Sequence, residues 1–406
     1  MSGFSLFDYD AYKNIFHNYR FPLAFVDLNR FDENIEYVGA TQKNSGKTIR
    51  IASKSIRSIP LIKRIFKKGG RVFQGILSYT MEEADFLISQ GLDDIIVAYP
   101  SIQPSDIKLF VKNVQAGAKL SMVIDGIDHL KVLSQAGQRA GSTLNLCMDV
   151  DMSFRPFGRI SHIGVRRSPV YKVQEAIDLA RASLNLKGIL INSIMGYEAQ
   201  IASANDNYPD QPIKNAVLRW IKNLSNKELS QRRKSIVKAV QKTGIQLENV
   251  NGGGSGSLVS TGRDMSVTEV TAGSAFFAPG LFRFFKEVEF SPSAFFGLRV
   301  VRIPDKEYLT CQGGGYIGSG DINETKLPCP VMPVGLSLLG IEGAGEVQTP
   351  LKKGPDCPNL AIGDPVFFQH AKAGELCERF NELYLVQDQK IVGKALTYRG
   401  EGHAFL

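Results

Sequence analysis

The chain has 406 residues, 43% of them hydrophobic and 22% charged, with a formal net charge of +8. These totals exclude a disordered or fibrous chain and suit a soluble globular one of two domains, since a single compact core does not usually grow to this size. No apolar run approaches the roughly 20 residues that span a bilayer, and five scattered cysteines read as reduced thiols of a cytoplasmic protein rather than a disulfide framework. The basic residues are dispersed over KKGGR (67–71), RR (166–167) and RRK (232–234), with no nucleic-acid-binding pattern beside them. Attraction of anionic small molecules explains them equally well. The opening MSGFSLFDYDAYKNIF has neither a basic leader nor an apolar segment, so no secretory signal is expected.

In chain order, FPLAFVDL (21–28) is strand-like but stands outside the pattern that follows. Eight strand-like runs then alternate with helix-length segments: TIRIASK (48–54), RVFQGI (71–76), DDIIVAY (93–99), KLSMVID (119–125), LNLCMDVD (144–151), LKGILIN (186–192), LENVNGG (247–253) and SVTEVTAG (266–273). Near-continuous apolar strands joined by amphipathic helices indicate a parallel sheet, and eight units over about 250 residues indicate a closed (β/α)8 TIM-type barrel over an open doubly wound sheet. The barrel is expected over 30–285. From 286 to 406 the texture changes to Gly, Pro and short β runs, which reads as a second, mainly β domain joined by residues 1–29. Between LKGILIN and a helix expected near Lys227 lies a long insertion, 198–228, carrying the only tryptophan, Trp220. Such an insertion either covers the catalytic face or packs as a peripheral helix hairpin.

In a barrel the C-terminal strand ends carry the site. Lys54 ends the first strand, where it either snorkels into water or stands half-buried with a depressed pKa and a chemical task. NGGGSGS (251–257) follows the seventh strand and TAGSA (271–275) the eighth, the positions at which barrels hold phosphate. A lysine and a phosphate cup on adjacent strands point to pyridoxal 5′-phosphate bound as an imine. A sugar-phosphate-binding barrel also wants both features.

LAFVDLNRFDENI, IASKS, MGYEAQ, GGGSGS, TAGSAFF and the closing GDPVFFQHAKAGELCERFN, in this order, resemble the alanine racemase-like, fold-type III pyridoxal-phosphate enzymes, and within them the D-threonine aldolase and D-serine dehydratase branch. The resemblance implies that Lys54 carries the cofactor as an aldimine. It implies that Gly253, Gly254, Ser255, Gly256, Gly273 and Ser274 hold its phosphate. Tyr197 falls close to its ring, unless it is simply a core tyrosine, with Glu198 beside it as a further candidate. Departures are plain: no histidine flanks Lys54, and the R-x-G-V turn appears as His162-Ile163-Gly164-Val165. The arginine contact must therefore come from Arg155, Arg159 or Arg166, with Arg155 favoured because it follows its strand end most directly. In that branch a histidine, with a cysteine or aspartate two residues later, binds a divalent cation. Here His370 and Cys377 are the candidate zinc or manganese ligands, or an unliganded pair around a turn. The resemblance implies a lyase acting on a D-3-hydroxy amino acid by retro-aldol cleavage, in a head-to-tail homodimer. It leaves open a dehydratase, a racemase using Tyr316, and a non-catalytic cofactor carrier, although single-domain carriers lack the β domain. No nucleic-acid or membrane partner is expected.

Overall fold

After an opening strand β1 (Leu23–Asp27), eight parallel strands close a barrel: β2 (Thr48–Ala52), β3 (Phe73–Ser78), β4 (Ile95–Val97), β5 (Leu120–Ile124), β6 (Leu144–Asp149), β7 (Ile189–Gly196), β8 (Asn249–Gly252) and β9 (Glu269–Ala272). The computed structural model describes residues 8–320 and 324–405, with Arg159 described by its backbone only. The ring closes where β9 pairs with β2 in the register Thr48↔Glu269 to Ile51↔Ala272. One parity of each strand faces the helices: Ile49, Ile51, Ile76, Ile95, Val97, Met122 and Ile124 share a core with Leu61, Ile62 and Ile65 of the helix Ile59–Gly69. Each full burial of such a side chain contributes about 2 kcal/mol. The other parity faces inward, where Ile96, Val123, Cys147 and Met195 form their own cluster.

The floor of the barrel is polar. Arg50, only 1% exposed, donates to Glu269 at 2.6 Å and to Asp94 at 2.9 Å, and Asn251 also donates to Glu269 at 2.7 Å. Position 75 is glycine for this reason: a Cβ there would lie 2.2 Å from the Arg50 guanidinium, and its φ of +71° suits no branched residue.

The second domain is built from β10 (Ala294–Arg302), β11 (Tyr308–Gln312), β12 (Cys329–Met332), β13 (Leu336–Leu338), β14 (Gln348–Lys353), β15 (Pro365–Gln369), β16 (Glu382–Gln387) and β17 (Lys390–Leu396). The sheet runs β13-β14-β11-β10-β1-β16-β17, with β15 pairing β10 and β12. The run at 21–28 thus supplies β1 at the heart of this sheet, antiparallel to β10 and parallel to β16. Its side chain Phe25 packs with Phe16, Phe295 and Phe367, a seam that ties the start of the chain to its last third.

The insertion differs from the expectation of a helix near Lys227. One 31-residue helix spans Pro212–Lys242, preceded by the short helix Ala199–Ala202. Pro212 opens it, the position at which proline's missing N–H costs nothing. Its first half was illegible because polar contacts anchor it. Asn215 exchanges two hydrogen bonds with the backbone of Tyr208, and Lys222 pairs with Asp206 at 3.0 Å. Trp220 is 62% exposed and lines neither of the two cavities at the barrel mouth. Among the described residues, no helix is long and apolar enough to cross a membrane.

Candidate active site

A cavity of about 460 Å³ opens at the C-terminal ends of the barrel strands. Lys54 enters it from a one-turn 3-10 helix, Ser53–Ser55, directly after β2. The backbone there is clamped from the second domain. Gly374, at φ +78°, sits so close that a Cβ would lie 2.0 Å from the Lys54 carbonyl oxygen, and Arg57 Nε donates to the same oxygen at 2.9 Å. The side chain is exposed to the solvent of this cavity. Desolvation first, and then the charges of Arg167, Lys372 and Arg57, hold its pKa below the usual lysine value, while Glu83 pulls the other way. The lysine is therefore biased toward the neutral amine that nucleophilic chemistry requires.

Opposite lies a cup made of the turns after β8 and β9. Ser255 Oγ accepts from the N–H groups of Gly273 and Ala275 at 3.2 and 3.0 Å, lacing the two turns together, and Ser55 shares a 3.2 Å hydrogen bond with Ser274. Among the described residues, no acceptor faces the backbone N–H groups of Ser255, Gly256 and Ser274. Two of these donors, on Ser255 and Ser274, border the cavity that holds the lysine, as a phosphate ester needs. A Cβ on Gly254 would meet Ala202 and the Tyr197 ring at 3.0 and 3.1 Å, and one on Gly273 would meet Ala52 at 2.9 Å. Both glycines keep the cup shallow. The cavity, the amine and the donor set together fit pyridoxal phosphate.

Gly253, Gly254, Ser255, Gly273, Ser274 and Tyr197 all line this space. Gly256 does not; a Cβ there would strike the Ala202 carbonyl at 2.3 Å and the Phe285 ring at 2.4 Å, so its side-chain position packs against the insertion. Tyr197, its hydroxyl 2.8 Å from Ser203 Oγ, forms a wall, and burial pushes its phenol up. Glu198 lies beneath the cup, fully buried. It accepts from Gly253 N–H at 2.9 Å, from Thr261 Oγ1 at 2.5 Å and from Arg233 at 3.1 Å, and Arg233 in turn pairs with Asp264 at 2.8 Å.

The structure separates the arginine candidates, against the preference for Arg155. Arg155 points away: it pairs with Asp151 and lies 4.1 Å from the Tyr171 ring, with Arg232 at 4.0 Å from the same ring. Arg166 and Arg167 line the cavity instead. Arg167 is the better held, donating to Asp149 at 2.9 Å and to the Ala98 carbonyl at 3.1 Å, above the Tyr99 ring. Sequence reading counted Arg166 among the candidates but missed Arg167. An antiparallel bridge between Phe154 and Ile163 folds the connection back on itself, so the later arginine reaches inward rather than the earlier one.

The metal pair is also corrected. His370 Nδ1 bonds the Ala294 carbonyl at 3.0 Å and its buried Nε2 has no partner, which leaves one imidazole lone pair available. Cys377 does not join it as a ligand. Its thiol donates to the Ile56 carbonyl at 3.2 Å, and burial pushes it up to about 12. Among the described residues, no three His, Cys, Asp or Glu side chains gather as a metal-sized group. The residue two positions after His370 is Lys372, an ammonium. These residues do not fit a divalent metal centre. Tyr316 packs on Phe296 and Phe380 within its own domain, at 4.9 and 5.4 Å.

A closed parallel barrel with a lysine after its first strand, a glycine- and serine-rich cup after its last two and a β domain beside the mouth defines a class. The chain belongs to the family described as alanine racemase, N-terminal domain, whose model matches residues 26–279. It is 23% identical over 254 residues to a 3-hydroxy-D-aspartate aldolase of Paracoccus denitrificans, covering 62% of this chain and 59% of that one. It is 22% identical over 259 residues to a D-threonine aldolase of Arthrobacter, covering 64% and 61%. The matched stretch thus spans about three-fifths of these relatives. Among solved structures, D-threonine aldolase from Filomicrobium marinum superimposes with a TM-score of 0.79 at 16% identity, over 95% of this chain and 96% of that one. D-threo-3-hydroxyaspartate dehydratase from Delftia does so with 0.73 at 17%, over 94% and 98%.

Proposed function

We propose that the chain is a pyridoxal-phosphate-dependent lyase cleaving a D-3-hydroxy amino acid between Cα and Cβ. The observation that carries this reading is the pairing of a pKa-depressed Lys54 with the unpaired N–H donors of Ser255 and Ser274 across one cavity. Lys54 would hold the cofactor covalently, the two turns its phosphate, Tyr197 one side of it, and Arg167 its far edge. When bound, the group supplies an electron sink at the substrate α-carbon. Lys54 Nζ, once released, is placed to move a proton at the substrate, and Leu281 and Phe282 help exclude water. The names of the relatives, two aldolases and a dehydratase, support cleavage or water loss at a β-hydroxyl as the chemistry.

Product analysis tests this. With D-threonine and cofactor, glycine is the expected product. 2-Oxobutyrate would assign a dehydratase and L-allo-threonine a racemase on the same scaffold; no product, despite cofactor bound at Lys54, would leave a carrier or a different amino acid.

Arg167 gives a pH test. Desolvation raises its partner Asp149 to about 6, against the pull of Arg167 itself. A raised acid pKa means the native state holds that proton more tightly than the unfolded chain. The group's own stability contribution therefore grows as pH falls through about 6, while its ionic grip on Arg167 weakens. Cofactor affinity, followed by fluorescence titration, is expected to fall several-fold between about pH 7.5 and about pH 5.5. Asp149→Asn should show the weaker affinity at both values; an unchanged pH dependence in that variant would reject the link.

A further inference from the structure

We propose that Lys372 is the fixed cation on the substrate side of the cavity, in place of a divalent metal, and that its ammonium receives an oxygen carried on the substrate's β-carbon. This rests on the cofactor reading above and deepens it. The metal-free form of a relative has been described: the solved structures include a histidine variant and, in a metal-free form, a cysteine variant of the Delftia dehydratase, the two residues separated by one position. In this chain the side chain with that spacing from His370 is the ammonium of Lys372, which repels a cation rather than ligating one.

Geometry makes this lysine a built element rather than a loose surface chain. Its Nζ donates to Ser319 Oγ at 2.6 Å and lies 3.3 Å from Glu375 Oε1, with the Ser319 carbonyl more distant at 3.5 Å. Glu375 is itself clamped on Ser319, accepting from its N–H at 2.8 Å and from its hydroxyl. The ammonium is thus anchored on Ser319 and Glu375, while the side chain stays 38% exposed to the cavity.

That ligand space is continuous with the cofactor space. A second cavity of about 560 Å³ is lined by Lys372, Ser319 and Glu375, and shares Lys54, Ser55, Tyr79, Tyr99, Tyr197 and Ser274 with the first. The charge of Lys372 is felt at the Lys54 amine. The other basic group there, Arg57, is committed to Glu378 and to the Lys54 carbonyl, and Asp106 to the Ser101 hydroxyl. Lys372 is held too, by Ser319 and Glu375, but at 38% side-chain exposure against 9% for Arg57 it is the cation of this wall more open to a substrate oxygen.

The test uses the cofactor-loaded full chain. After incubation with zinc or cobalt and gel filtration, wild type is expected to retain no stoichiometric metal, and turnover of D-threonine and of D-3-hydroxyaspartate is expected to be unchanged by a chelator. Lys372→Met should keep the yellow absorbance of lysine-bound cofactor while kcat falls by about 10²-fold, the usual loss for one removed charge-stabilising donor. An equal loss on both substrates identifies the β-hydroxyl as the oxygen held; a loss confined to the dicarboxylate would overturn the proposal, since its carboxylate oxygens lie on the γ-carbon. Lys372→Asp should gain cobalt binding, read from the metal's visible absorption. Stoichiometric metal in wild type with chelator-sensitive turnover would overturn the proposal, as would a Lys372→Met variant as fast as wild type. A wild-type protein that never turns yellow with cofactor would sink the reading beneath it instead, so the two failures separate.

Discussion

Lys54→Ala is expected to yield a folded, colourless protein whose cleavage rate falls by at least about 10³-fold, within the range for a positioned acid–base group. Lys54→Arg should lose as much, because a guanidinium keeps the charge but offers no neutral amine at any working pH. Stability should move differently from activity. In the cofactor-free protein the charged form of Lys54 is disfavoured by desolvation and by Arg167, Lys372 and Arg57. Its folded pKa is lowered, so the unfolded chain binds more protons over the interval between that value and the ordinary lysine range. Stability from this group therefore rises with pH across the interval, and Lys54→Ala should lack the rise and show no fall in urea midpoint near neutral pH. A variant that lost both colour and fold would show that Lys54 is structural, and one that kept turnover would remove it from the chemistry.

Glu198→Ala is expected to lower the stability of the barrel by about 3 kcal/mol, the cost of breaking one side of a buried charge pair. Three donors lose their acceptor together: the Gly253 N–H, the Thr261 hydroxyl and one arm of Arg233, itself 1% exposed. Asp264 still holds the other arm at 2.8 Å, which keeps the loss from being larger. Because Gly253 sits at φ +79° in the cup, the same change should loosen the turn after β8 and weaken cofactor affinity by about tenfold, a loss equal to about 1.4 kcal/mol. The double variant Glu198→Ala with Arg233→Met tests the division of roles. It should recover much of the urea midpoint, since no charge is left unpaired, while affinity stays low. Equal recovery of both would mean that Glu198 acts only through the ion pair and not on the loop.

The barrel was legible because each strand carries its own evidence. Ile49 and Ile51, Ile95 and Val97, and Met122 and Ile124 are apolar whatever their neighbours do, and amphipathic helices separate them. The cup was legible for a similar reason: glycines and serines cluster at an ordinal position where barrels bind phosphate. Arg50, Asp94 and Glu269 were not, since their pairing joins three strands far apart in the chain and leaves no periodic trace. The same holds for the helix from Pro212, where Asn215 and Lys222 do the anchoring that apolar residues do elsewhere.

By itself the sequence determined the alternation of strand and helix, the lysine at the end of β2, and the two glycine-rich turns, because burial pattern and backbone permissiveness are local properties of consecutive residues. Only the tertiary structure decided which arginine enters the cavity, that Cys377 spends its thiol on Ile56, that Glu198 supports the cup from below, and that Lys372 reaches the space around Lys54. Each of these depends on where a loop is turned by contacts with residues distant in sequence, such as the Phe154–Ile163 bridge and the approach of Gly374 to the Lys54 carbonyl, and side-chain direction at such places is set by packing rather than by spacing along the chain.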